Sequence, residues 1–296
     1  MPGFRHLAVG LSRTASDAGT IRYAALVAGL AKAESLRLVH VLPREGEAPG
    51  AAGQEAVLPK MQQEAAALLP GVDFTCDVLS DPLTDALLAY VAQQQVDLAI
   101  VGHKRSTSGS RALARRLAMN APCSVWMVPE GSPAAISRIL VPTDFSDHSA
   151  DTLRVAVALA RASGAQCVPL HVYFNEAVAT YEEYDDVLRG EEQAAYERFV
   201  ASIDCAGVEL TPVFEEGANV AHVIGRVAER VAADLIVMGT RGRSRSASIL
   251  LGSVTEATIM EATLPLLAVK HFGARMGVLQ ALLDPRFMYR SGLRTD

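Results

Sequence analysis

Short apolar runs alternate with longer stretches whose apolar positions recur at helical spacing. The runs HLAVGLS (6–12), LRLVHV (36–41), VDLAIVG (96–102) and APCSVWMV (121–128) read as buried strands. Stretches such as 17–33 lie between them and read as helices. The whole pattern then recurs: RILVPTDFS at 138–146, a helical stretch at 147–163, CVPLHV at 167–172, ADLIVMG at 233–239 and LPLLAVK at 264–270. In the second copy Leu153, Val157, Leu159 and Ala160 share one helix face. Each half therefore predicts β-α-β-α-β-α-β-α-β, an α/β arrangement with two tandem five-stranded parallel sheets of Rossmann-like type. The expected domains are 1–130 and 136–271, joined by the small-residue linker Pro129–Ala135, with a helical tail at 272–296. The tail carries an apolar stripe at 274–283 that Asp284-Pro285 breaks; it either docks on its own domain or caps a partner.

Candidate chemistry concentrates where the last apolar run but one of the second half ends. Met238, Gly239, Arg241 and Gly242 close the strand; after nine intervening residues Gly252-Ser253 opens a helix. Glycines here let the backbone take positive φ and approach a ligand with no Cβ in the way. The unpaired N–H groups and the dipole of the helix start favour an anion, and Arg241, Arg243 and Arg245 add charge. The arrangement reads as a phosphate cradle for a nucleotide. In sheets of this type, ligands bind beyond the carboxyl ends of the strands, where strand order switches. The Pro142-Thr143-Asp144 turn falls at such an end too.

Composition narrows the classes. The 296 residues carry a net charge of −6, half of them apolar and a fifth charged, which suits a globular chain and disfavours a general nucleic-acid binder. No run of about 18 uncharged apolar residues predicts a membrane span. Cys76, Cys123, Cys167 and Cys205 follow no metal or redox spacing and read as buried thiols in a reducing cytoplasm. GxxxxGK[ST], GxGxxG after a first strand, G-x-S-x-G, HExxH and the kinase signatures are all missing.

What remains, G-xx-G-x9-G-[ST] after a strand plus Asp144 after the first strand of that half, resembles the universal stress protein family in tandem-domain form. The resemblance spans residues 4–271 and is closest at MGTRG (238–242) and LLGSVTE (250–256). It implies the adenine nucleotide alpha hydrolase-like fold, pairing through the last strand, and ATP as ligand, with Mg or Mn a plausible companion of the phosphates. Carried over, Gly239, Gly242, Gly252 and Ser253 would hold the phosphates, with Arg241, Val254 and Thr255 adjoining. Pro142, Thr143 and Asp144 would meet the adenosine end, Asp144 accepting from ribose hydroxyls. Val172 and Met238 would line the base pocket. A helix dipole contributes only ~0.3–1 kcal/mol against the about 8 kcal/mol of micromolar binding, so several N–H contacts and a dry adenine slot must act together.

Each candidate has a plainer reading. The glycines are also ordinary turn and cap residues, Asp144 an N-cap or Asx-turn residue, and the arginines a solvated rim. His40 and His171 occupy matching strand ends, and their presence in both halves favours packing and a backbone hydrogen bond. His103 and His148 lack partners at metal spacing, and the acidic run Glu182, Glu183, Asp185, Asp186 reads as a solvated loop or helix start.

The first half departs from the pattern. Ser12 stands in the place of Asp144, Arg105 where the second glycine belongs, and only six residues separate Gly102 from Gly109 against twelve between Gly239 and Gly252. The expectation is one nucleotide, in the second half, and a regulatory protein of the stress-response class, not an enzyme. Slow ATP hydrolysis, autophosphorylation at Ser244, Ser246 or Ser248, and a nucleotide-independent scaffold are the alternatives. The two halves would form an internal pseudo-dimer or the chain a homodimer, with protein partners unspecified.

Overall fold

Strand and helix alternate without interruption through both halves. A computed structural model describes residues 4–42, 51–80, 82–104, 108–174, 182–242 and 251–270. The first half runs β1 (His6–Leu11), α1 (Asp17–Ala31), β2 (Ser35–Val41), α2 (Ala51–Leu68), β3 (Thr75–Leu79), α3 (Leu83–Gln93), β4 (Leu98–His103), α4 (Ser108–Asn120) and β5 (Ser124–Pro129). The second runs β6 (Arg138–Pro142), α5 (Asp147–Ser163), β7 (Gln166–Tyr173), α6 (Glu182–Val200), β8 (Val213–Glu216), α7 (Val220–Arg230), β9 (Leu235–Gly239), α8 (Ser253–Glu261) and β10 (Leu266–Val269). The expected tail, Arg105, Arg243, Arg245 and the three serines between 244 and 248 lie outside the described residues.

Each half is a parallel five-stranded sheet, and the halves join into a single ten-stranded sheet of order β3-β2-β1-β4-β5-β10-β9-β6-β7-β8. The join is antiparallel, with Trp126 of β5 opposite Leu267 of β10. One face is covered by α1, α2 and α5, the other by α3, α4, α7 and α8. Burial on both faces explains why β5 and β10 read as continuous apolar runs. Trp126 at the join is fully buried and meets the ring of Tyr23 edge-on at 5.7 Å.

Local chemistry sets the element ends, often identically in the two halves. Asp97 accepts hydrogen bonds from the N–H groups of Arg5 and His6, and Asp234 from those of Ser137 and Arg138, so one aspartate ties the first strand of each half to the fourth. Helix α5 starts at the N-cap Ser146, which accepts from the Ser149 N–H, and stops at Gly164 with φ 75°. Helix α1 stops the same way at Lys32, φ 52°, without a glycine to relieve it. The strand order reverses between β1 and β4, and again between β6 and β9, so the carboxyl ends of β6 and β9 bound the crevice where this fold class takes ligands.

Candidate functional site

Two turns meet at that crevice. After Pro142, the N–H of Thr143 donates to the carbonyl of Leu170 (2.8 Å), and its buried hydroxyl donates to Ser149 Oγ (3.0 Å) and accepts from the Phe145 N–H. Asp144 Oδ1 accepts from both the N–H (3.1 Å) and the hydroxyl (2.6 Å) of Ser146, an Asx-turn that fixes the carboxylate. Phe145 then adopts φ 61°, a conformation costly for a side chain of its size. Its ring stacks on His171 at 4.2 Å and meets Phe199 of α6 at 5.4 Å, so packing holds the strained turn.

On the other side, Gly242 lies against the same aspartate: a Cβ on it would stand 2.8 Å from Asp144 Oδ2. A Cβ on Gly239 would meet Thr152 Oγ1 of α5 at 2.9 Å and the Arg241 carbonyl at 3.1 Å. The Thr240 N–H donates to the Val269 carbonyl, the Gly252 N–H to the Thr240 carbonyl (2.8 Å), and the buried Thr255 hydroxyl to the Gly239 carbonyl (2.8 Å). These bonds fasten the strand end to the start of α8, whose N-cap is Gly252 and whose first residue, Ser253, is exposed. Met238 is buried in the layer beneath α7 and α8, against which Val172 and Val254 also pack.

The glycines therefore act differently from expectation. Gly239, Gly242 and Gly252 are all outside the positive-φ region; the left-handed residues of the two turns are Phe145 and, at the matching place in the first half, Arg13 with φ 60°. What Gly239 and Gly242 supply is room. For Gly239 that room is used by the helix–strand contact with Thr152. In the first half Gly102 meets Thr20 of α1 in the same way, so this glycine is kept where the second is lost.

Arg241 sits near Lys270, whose ammonium donates to the carbonyls of Ala118 (3.3 Å) and Met119 (3.1 Å) at the end of α4. Burial lowers the Lys270 pKa to about 8, the Cys123 thiol raises it somewhat and the Arg241 charge lowers it further. His171 Nδ1 donates to the Thr143 carbonyl (2.8 Å) and His40 Nδ1 to the Leu11 carbonyl (2.9 Å), since a carbonyl can only accept. This is the backbone role read from their recurrence. His171 Nε2 also faces Glu192 of α6 at 3.2 Å, a partner that sequence spacing does not reveal. Burial pushes the thiols of Cys123 and Cys167 up to about 12 and that of Cys76 to about 11, with Asp77 adding to the last, and all four cysteines are free. Cys76 and Cys205 are only partly buried. His103 is buried against the Lys104 carbonyl, and among the described residues no three His, Cys, Asp or Glu side chains gather to hold a metal ion. No helix among them is long and apolar enough to cross a membrane.

The first half solves its β1–α1 turn with a residue the sequence did not flag. Asp17, in the first turn of α1, reaches back so that Oδ1 accepts from the Ser12 N–H (3.2 Å) and hydroxyl (2.9 Å). Its Oδ2 accepts from the N–H groups of Arg13 (2.6 Å) and Thr14 (3.2 Å). An anion from the chain itself thus occupies the turn. Arg13 pairs with Glu64 of α2, fastening turn to crossover helix by charge where the second half uses Phe145 and aromatic packing.

Comparison with known proteins follows the same division into halves. The sequence profile described as Universal stress protein family matches residues 3–129 and again residues 135–270. The universal stress protein MJ0531 of Methanocaldococcus jannaschii is 34% identical over 139 residues, 45% of this chain and 81% of that protein. A universal stress protein of Thermus aquaticus is 33% identical over 135 residues, 45% of this chain and 97% of its own length. Among solved structures, PA1789 from Pseudomonas aeruginosa aligns with a TM-score of 0.69 at 20% identity, covering 90% of this chain and 92% of that one. A universal stress protein of Archaeoglobus fulgidus aligns with a TM-score of 0.63 at 16% identity, covering 91% and 98%. Those two likenesses establish the fold across both halves. With the profile matched twice and relatives each spanning one half's worth of sequence, the chain belongs to the universal stress protein family and carries two copies of its domain in one sheet.

Proposed function

We propose that the second half binds an adenine nucleotide, ATP, in the crevice between the Asp144 turn and the glycine loop, and that the chain is a nucleotide-holding regulatory protein and not a turnover enzyme. The observation that carries this reading is the approach of Gly242 to Asp144, with a Cβ position only 2.8 Å from Oδ2. Backbone and carboxylate are close enough to engage one small ligand together, and a side chain at 242 would have to displace the Asp144 carboxylate. Asp144, its carboxylate oriented by the two bonds from Ser146, would accept from the ribose hydroxyls. The N–H groups at the start of α8, Ser253 and Arg241 would hold the phosphates, with Val172 and Met238 flanking the base. A divalent ion would ride on the phosphates. The first half would bind none, because Asp17 already takes the N–H groups of its turn.

Calorimetric titration of ATP into nucleotide-stripped protein, beside Gly242→Val and Asp144→Ala, tests this. One site per chain, lost in Gly242→Val and weakened in Asp144→Ala, is the expected result. Two sites per chain would refute the assignment to one half, and no heat with the wild-type chain would refute nucleotide binding altogether.

A further inference from the structure

We propose that the first half serves the nucleotide site of the second by neutralising Glu256, with Arg115 as a positioning residue that sets how strongly polyanionic nucleotides are held; this rests on the function proposed above. Glu256 lies in the first turn of α8, the helix whose N-terminal end is capped by Gly252. A carboxylate there is stabilised by the helix dipole, but it competes with a phosphate for the same positive end and repels it. Arg115 belongs to α4 of the other half. Its Nε (2.7 Å) and Nη2 (2.6 Å) both donate to Glu256 Oε1 across the packed α4–α8 contact. Among the described residues no other cation pairs with Glu256.

The guanidinium is held in place because α4 is gripped from the second half as well. Lys270 donates its ammonium to the Ala118 and Met119 carbonyls at the end of α4, and its N–H to Ser124 Oγ at the start of β5. Immediately before it, the Val269 carbonyl accepts from the Thr240 N–H of the glycine loop. The loop, the end of β10 and α4 are thereby one connected set. Both partners of the Arg115–Glu256 pair are about a third exposed, 37% and 36% of their side chains. Such a pair contributes little to folding, so its main consequence is for the potential at the helix start. With Arg115 present, Glu256 presents no net charge to the phosphates; without it, each added phosphate charge is opposed.

The test measures ATP, ADP and AMP affinity by calorimetry for the full chain, Arg115→Ala, Glu256→Gln and the double variant, with thermal unfolding as a check on folding. Arg115→Ala should weaken ATP about tenfold and AMP about threefold or less. Glu256→Gln alone should bind ATP as well as the wild type or better, and the double variant should match it. If the pair merely braces α8, Glu256→Gln will weaken binding as Arg115→Ala does and all three nucleotides will fall together, which overturns the proposal. Wild-type binding with an unchanged ATP-to-AMP preference in Arg115→Ala overturns it while leaving the nucleotide site standing. No binding by the wild type removes both readings.

Discussion

Replacing Lys270 with Met should change the pH dependence of stability in a direction fixed by its burial. The folded-state pKa of Lys270 is lowered from 10.5 to about 8, first by desolvation and also by the Arg241 charge, with Cys123 acting against these. Below about pH 8 the ammonium is charged in both folded and unfolded chains, and the folded state bears the whole cost of burying it. Between about 8 and 10.5 the unfolded chain holds the proton and the folded chain releases it, so stability rises with pH. At about 1.36 kcal/mol per pKa unit, the interval corresponds to roughly 3 kcal/mol. Lys270→Met removes this dependence. The lost bonds to the Ala118 and Met119 carbonyls add only an offset that does not vary with pH. The Cys167 thiol, pushed by burial to about 12, lowers stability above pH 9 in both proteins and cancels in the difference. Cys123 is also pushed to about 12 but feels the Lys270 charge, so both proteins carry Cys123→Ala. Urea unfolding can be followed by the fluorescence of Trp126, the only tryptophan of the chain and fully buried at the join. Measured from pH 7.5 to 10.5, the protein that keeps Lys270 should gain about 3 kcal/mol on the variant. Parallel curves across that range would refute the argument that Lys270 is charged and desolvated in its seat.

Three further perturbations probe what distinguishes the halves. Asp17→Ala should cost about 1–2 kcal/mol in urea unfolding, because three turn N–H groups lose their acceptor. Gly102→Ala, whose methyl would collide with Thr20 Oγ1, should destabilise by roughly 1–3 kcal/mol, and Thr20→Ala in the same chain should recover most of it; an uncompensated double variant would contradict the contact. Lys32→Gly should raise stability by up to about 1 kcal/mol, since φ 52° at the end of α1 penalises a side chain that Gly164 lacks at the end of α5.

The alternation of apolar runs and the internal repeat made the two β-α-β halves legible, because a parallel sheet buried on both faces leaves a strong hydrophobic signature. Their fusion into one sheet was open in the sequence, since the antiparallel pairing of Leu267 with Trp126 joins residues more than a hundred positions apart that carry no local mark. The place of Asp144 and Gly242 at neighbouring strand ends was readable from spacing. How they meet was not. The left-handed backbone falls on Phe145 and Arg13, residues without turn propensity, where tertiary contacts to His171, Phe199 and Glu64 override local preference. Asp17 carries no local mark for a similar reason: its acceptor role depends on a turn that the chain closes only once folded.

Joining two family domains through β5 and β10 within one polypeptide makes their association independent of protein concentration, because each last strand always has its partner at hand. It also frees the halves from being identical. A pair of separate identical chains must carry two equal crevices or none, and two equal crevices can respond cooperatively. Here Asp17 takes the N–H groups of one turn while Asp144 and Gly242 meet in the other, so on the function proposed above a single ligand would titrate along a simple hyperbola, and the other half is available to evolve as a fixed companion to its neighbour.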